Sequence, residues 1–380
     1  MIQLGACKKF SAVISLILMT VLAAVLTPGL VLANAEAWNI QTIDPDEVHS
    51  TSIVMDSHNR PHISYHDYTS GALKYARFNG TTWDIQAVDP VGNYGGGTSI
   101  ALDNNDSPHI SYYDEPNVRL KYAYWTGSAW HIEAVSPQWS NGRDSSLALD
   151  SNGYPHISWS GGGVYHLMYT KWTGSTWETT DIESDARHKS LVLDSNGHPH
   201  ISYYVALPYN YLKYATYNGI SWNTEVVDTS DVPDGSVGSA NSMALDSNNR
   251  PHIAYSDDSN KTIKYAKWTG TEWVKETVDS STISYNSVAL ALDSSNTPHI
   301  SYTTDSSGSL HYARLTGSAW VKETVDPNDF RDTSIILDSK GCPCISYATS
   351  GSEGGLNYAY GCSKFPWPMF LPAMKKNSQP

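Results

Sequence analysis

Tryptophan recurs at Trp38, Trp83, Trp130, Trp177, Trp222, Trp273 and Trp320, at intervals of 45, 47, 47, 45, 51 and 47 residues. This tandem period constrains the chain more than any other feature. A unit of that size cannot bury its own apolar faces, so neighbours must stack, and the period is that of a four-stranded propeller blade. In the second unit the β-type runs are 98–103, 108–113, 120–125 and 130–135, with no competing helical periodicity.

Two of the turns are fixed in length. An Asp precedes a Pro by five residues in all seven units, at Asp56/Pro61, Asp103/Pro108, Asp150/Pro155, Asp194/Pro199, Asp246/Pro251, Asp293/Pro298 and Asp338/Pro343. Asp-Ser-Asn-Gly, intact at Asp150 and Asp194, is a tight hairpin whose Asn and Gly tolerate left-handed dihedrals. A Gly precedes the Trp by three residues in six units, from Gly80/Trp83 to Gly317/Trp320, which marks a second tight hairpin. The remaining connections vary, with the Trp-to-Asp distance running from 17 residues (Trp177 to Asp194) to 24 (Trp222 to Asp246). One face therefore consists of repeated turns and the other of individual loops, where function concentrates.

The seventh unit supplies three runs, ending at Tyr358-Ala359-Tyr360, and has no Trp strand of its own, while 38–43 is a strand without a unit. Pairing the two would remove the exposed edges and close the ring. The expected fold is all-β, a seven-bladed propeller of four-stranded blades closed by the N-terminal strand. An open solenoid is the alternative. The repeated Trp and the paired tyrosines, such as Tyr65 with Tyr75 and Tyr112 with Tyr122, are expected to cement blades together, at about 1.5–3 kcal/mol per buried large side chain. The His of Pro-His-Ile-Ser-Tyr (His62, His109, His156, His200, His252, His299, with Cys344 in seventh place) falls one per blade, so these residues are expected to be buried and hydrogen-bonded. The repeated Asp is a hairpin cap, because no calcium loop of Asp-x-Asp-x-Asp-Gly type is present.

Residues 1–35 carry Lys8 and Lys9, an apolar run and the triplet Ala33-Asn34-Ala35, the layout of a cleaved secretory signal. The expected domains are a signal peptide at 1–35, the propeller at 36–361 and a Pro-rich tail at 362–380. The destination is secreted or cell-surface, with no membrane insertion after signal removal. Lys plus Arg number 24 and Asp plus Glu 38, so the net charge is 24 − 38 = −14, or −16 once Lys8 and Lys9 leave with the signal. That balance disfavours a nucleic-acid partner. Among Cys342, Cys344 and Cys362 one disulfide to Cys362 is expected, its partner left open.

The hairpin Leu-Asp-Ser-Asn-Gly-x-Pro-His-Ile-Ser-Tyr with a closing Trp resembles secreted bacterial repeat propellers and, more loosely, the Asp-box turns of sialidase-like propellers, over roughly residues 38–361. It departs from the Asp box in placing Gly153 and Gly197 three residues after Asp instead of two. The resemblance implies fold, since related propellers include lectins, hydrolases, lyases and interaction platforms.

Seven residues before each repeated Asp, where the innermost strands begin, stand His49, Gly96, Arg143, Arg187, Ser239, Asn286 and Arg331. Arg143, Arg187 and Arg331 would form an anion site if they faced one central mouth, as sialidase-like enzymes use an arginine triad. The competing expectation is local pairing, with Asp144 and Asp332 directly adjacent. The variable loops also hold Trp139, Tyr94, Tyr165, Tyr209 and Tyr211 beside many short polar residues, a mixture that suits sugars and also protein partners. No nucleophile elbow, phosphate loop, dinucleotide fingerprint or zinc signature occurs, so no catalytic residue, metal or cofactor is assigned. The expected function is a monomeric extracellular binding module, lectin-like, for glycan on the variable-loop face. The alternatives are an anionic-glycan hydrolase or lyase using the arginines and a surface scaffold for protein partners.

Overall fold

A computed structural model of the chain describes residues 38–90, 97–138, 140–162, 165–206, 210–232, 235–280, 287–304, 308–328, 330–349 and 354–362. Its 28 strands form seven antiparallel four-stranded sheets, each in simple meander order. Blades 1 to 6 span 48–89, 98–134, 141–183, 186–228, 237–279 and 288–326, and blade 7 spans 330–360. The strand Asn39–Asp44 completes blade 7 by pairing with Gly355–Tyr360, in the register Asn39↔Tyr360 to Thr42↔Asn357. The protein is thus a seven-bladed β-propeller closed by its first strand.

The repeated sequence columns become repeated joints between blades. All seven Trp rings meet a third-strand tyrosine of the preceding blade edge-on or nearly so, with centroids 5.0–5.5 Å apart, from Trp38 on Tyr312 and Trp83 on Tyr358 to Trp320 on Tyr265. Four of their indole N–H groups donate to a Gln or Glu of the preceding outermost strand: Trp38 to Glu323, Trp83 to Gln41, Trp130 to Gln86 and Trp273 to Glu225. In turn six of those tyrosines hydrogen-bond the buried His of their own blade, as in Tyr75–His62 (2.6 Å) and Tyr312–His299 (2.6 Å), and in blade 7 Cys344 stands in the His position. The far side of the ring faces the hairpin Asp, 3.5 Å away for His62–Asp56 and 3.7 Å for His299–Asp293. Burial pushes these imidazoles down, to about 4 for His62, His156 and His299, so they are neutral near pH 7.

The second-strand tyrosine forms a different joint. Tyr65, Tyr112, Tyr255 and Tyr302 donate to Asp44, Asp89, Asp228 and Asp279 at the end of the preceding blade's outermost strand. In blade 3 the tyrosine is replaced by Trp159, whose indole turns to Thr170 instead. The capping role of the repeated Asp holds: Asp103 accepts the backbone N–H of Asn105 and of Ser107, both at 2.8 Å. The disulfide joins Cys342 to Cys362, and the buried Cys344 thiol is pushed up to about 12 by desolvation.

Around the axis the innermost strands are joined by two belts. The serine four residues before the hairpin Asp accepts a backbone N–H from the next blade at six joints: Ser52, Ser99, Ser146, Ser190, Ser242 and Ser334. Ala289 replaces it at the seventh. One residue earlier, a hydroxyl reaches a second-strand serine of the preceding blade, as in Thr51–Ser346, Thr98–Ser64, Ser145–Ser111 and Thr333–Ser301, all 2.8–2.9 Å. Between blades 5 and 6 both partners are apolar, Ala254 and Val288, and they pack in one core cluster.

Candidate functional site

The innermost strands begin on the variable face, and in five of them a bulge interrupts pairing near that start, between His49/Thr51, Arg143/Ser146, Arg187/Lys189, Val237/Asn241 and Phe330/Asp332. Ser50, Asp144 and His188 adopt left-handed backbone there, with φ of 53°, 53° and 46°. A bulge re-aims the side chains beside it. Here it brings the residues six and five before the hairpin Asp to the ring axis.

Those residues from blades 3 to 7 line an axial cavity of about 350 Å³. Asp144, Lys189, Arg331 and Asp332 supply its charge, with His188, Ser239 and Asn241 beside them. Lys189 occupies the column filled elsewhere by Thr51, Thr98, Ser145, Asn241, Val288 and Thr333. Lys189 is only 8% exposed and its ammonium donates to Ser160, and the belt serine Ser158 is left without a side-chain hydrogen-bond partner among the described residues. Desolvation pulls the Lys189 amine down to about 8, against the opposing pull of the Asp144 carboxylate. Burial would raise Asp144, but Lys189 and His188 outweigh it and hold that carboxyl below its ordinary range. Asp332 accepts the backbone N–H of Ser50 at 3.0 Å, and the Asn241 amide donates to the His188 carbonyl at 2.6 Å.

Of the three arginines singled out in the sequence, Arg331 lines this cavity. Arg143 instead pairs with Glu115 at 3.3 Å and lies over the Tyr113 ring at 5.0 Å. Arg187 lies over the Tyr165 ring at 4.2 Å. Burial would lower the Arg143 guanidinium, but Tyr113, Glu115 and Tyr165 raise it further, so Arg143, Tyr165 and Arg187 form one cluster on the rim of blades 2 to 4. Neither adjacent aspartate takes its arginine: Asp144 faces Lys189 and Asp332 bonds Ser50. Tyr211 opens the third strand of blade 4 on the same face, opposite Val205. Trp139, Tyr94 and Tyr209 lie outside the described residues. The cavity residues Asp144, His188, Lys189, Asn241 and Asp332 were not among the expected ligand-binding positions. The signal that finds them is the column in which a single lysine stands among uncharged side chains, four of the other six being Ser or Thr.

On the opposite face Asp56, His58 and Asp106 bring ligand-type atoms within 4.8 Å of one another. Two of these groups are already engaged in the hairpins, Asp56 with Arg60 at 2.6 Å and Asp106 with Ser57.

No protein-family model and no curated protein matches the sequence. Solved structures do share the propeller architecture. A polysaccharide lyase of the ulvan lyase type aligns with a TM-score of 0.63 at 13% identity, over 83% of this chain and 94% of that one. A virginiamycin B lyase from Staphylococcus aureus aligns at 0.58 with 8% identity, over 85% and 99%. The Aleuria aurantia lectin, in complex with a fucosylated disaccharide, aligns at 0.54 with 12% identity, over 76% and 98%. At these identities the likeness establishes the propeller architecture, and some propellers of this shape bind glycans.

Proposed function

We propose that the protein is an extracellular, monomeric glycan-binding propeller that seats its ligand in the axial mouth of the variable face. One observation carries the reading: the sevenfold pattern is broken by charge at the mouth. Lys189 interrupts a hydroxyl belt and strands Ser158, a departure that costs stability and suits a site. Ammonium, guanidinium, carboxylate, amide and hydroxyl groups around one cavity match a ligand dense in hydroxyls, and the glycan-binding neighbours support that class. A second reading, an anionic-glycan lyase, is favoured by the amine of Lys189, lowered to about 8 in a cavity that Arg331 also lines.

The test is a glycan array with product analysis on each hit, run on the mature protein and on Lys189→Thr and Arg331→Ala. Retention that both substitutions abolish, with the thermal transition preserved, is the expected result. Product release dependent on Lys189 would convert the lectin into the lyase. Undiminished retention in both variants would remove the axial mouth as the site.

A further inference from the structure

The face of repeated hairpins carries recesses of its own, between blades 1 and 2, 2 and 3, and 4 and 5, with volumes of about 260, 190 and 260 Å³. They are equivalent by position. Each lies against a third-strand tyrosine of one blade, Tyr75, Tyr122 or Tyr214, and the proline that opens the second strand of the next. Each also has a tryptophan from the end of the next blade's third strand: Trp125, Trp172 or Trp268. The corresponding residue is Phe78, Tyr217 or Leu315 in blades 1, 4 and 6. Each recess also takes a carboxylate or amide from the first blade's outermost strand, Gln86, Glu133 or Glu225, the last with Asn223 and Thr224 beside it.

That side chain distinguishes the recesses chemically from the axial mouth. Gln86 and Glu225 each commit one oxygen to a Trp indole, of Trp130 and Trp273, which leaves the amide group or the second oxygen for a ligand. Between blades 2 and 3 the Trp177 indole N–H has no partner among the described residues, so Glu133 is not engaged by it, and Tyr154, 37% exposed, adds a further aromatic wall. Glu133 and Glu225 accept hydrogen bonds and repel anions, and in the recess between blades 1 and 2 Asp106 stands beside Arg77, so none of the three presents a cation alone. Aromatic walls suit the apolar face of a ring. Each volume falls below the roughly 300–1,000 Å³ of a drug-sized pocket and fits a single sugar ring.

We infer that these three recesses are glycan subsites, each taking one neutral hexose residue between an aromatic wall and a carboxylate or amide. The faces then have separate roles: a repeated face that binds several copies of one simple sugar, and a variable face with one polar mouth. Three weak sites on a rigid ring gain avidity for a branched or surface-bound glycan, by about 10²–10⁴-fold where geometry allows. The inference stands apart from the axial reading and can fail without it.

The experiment titrates the mature protein, labelled at its indole nitrogens, with methyl α-D-mannoside, methyl β-D-galactoside and methyl α-L-fucoside, and follows the Trp N–H resonances. One of these glycosides is expected to shift Trp125, Trp172 and Trp268 together, at three equivalents per chain. Tyr154→Ser, on an exposed turn, should weaken the site between blades 2 and 3 by about tenfold, the equivalent of 1.4 kcal/mol, and leave the other two alone. Lys189→Thr should change none of the three. Silence of these resonances with every glycoside, an unchanged response in Tyr154→Ser, or loss of the shifts in Lys189→Thr would overturn the inference.

Discussion

Lys189→Thr should make the protein more stable while removing its ligand. The amine falls from an ordinary 10.5 to about 8 on folding. At about 1.4 kcal/mol per unit, keeping it charged at pH 7 costs the folded state about 3 kcal/mol, with the attraction of Asp144 already included. A threonine there would also give Ser158 the partner it lacks, about 1 kcal/mol, against a loss of about 1–2 kcal/mol from buried methylenes. The net gain is about 2–3 kcal/mol. With an unfolding entropy of about 2 cal/mol/K per residue over roughly 320 residues, Tm should rise by about 3–5 °C. The advantage fades with alkali. The unfolded chain holds the Lys189 proton up to about 10.5 and the folded one only to about 8, so the native protein gains stability between those values and the variant does not. Calorimetry at pH 7 and pH 10 should show the advantage of Lys189→Thr shrinking at the higher pH. A lower Tm at pH 7, or an advantage of equal size at both, would refute the view that this lysine is kept for function at a structural cost.

Acid should weaken the ring well before carboxylates titrate. His62, His156 and His299 are neutral when folded, to about 4, and take protons at about 6.5 when unfolded, so stability is complete above 6.5 and is lost as pH falls toward 4. At pH 5 each costs about 2 kcal/mol, and equal urea midpoints at pH 7 and pH 5 would contradict this. Trp273→Phe should cost about 1 kcal/mol more than Trp177→Phe, because Trp273 donates to Glu225 and the Trp177 indole has no partner, a difference readable by chemical denaturation. Reduction of Cys342–Cys362, which are 20 residues apart in sequence, should cost about 3 kcal/mol on the loop-entropy relation, visible as a lower midpoint in dithiothreitol.

The blades were legible because their determinants are local and repeated. Asp-to-Pro and Gly-to-Trp spacings define hairpins, and the unmatched first and last runs define the closure that pairs Asn39 with Tyr360. The mouth was legible only by position. Counting back seven residues assumes an uninterrupted strand, whereas the bulges at Asp144 and His188 re-aim the residues beside them. Arg143 and Arg187 consequently meet Glu115 and Tyr165 on the rim, and Lys189 reaches the axis. The two axial belts are equally plain in hindsight, since Ser52, Ser99, Ser146, Ser190, Ser242 and Ser334 form one column. What that serine column bonds depends on the next blade's backbone, which no single unit's sequence displays.

Blade 7 also sets an order in time. Its outermost strand leaves the ribosome before every other described strand, and the edge it must cover, Gly355–Tyr360, leaves after them. Six blades can assemble while that first strand waits, unpaired, for more than three hundred residues to follow. The ring therefore locks in one late step, and until then the chain remains an open ribbon whose two ends have not met.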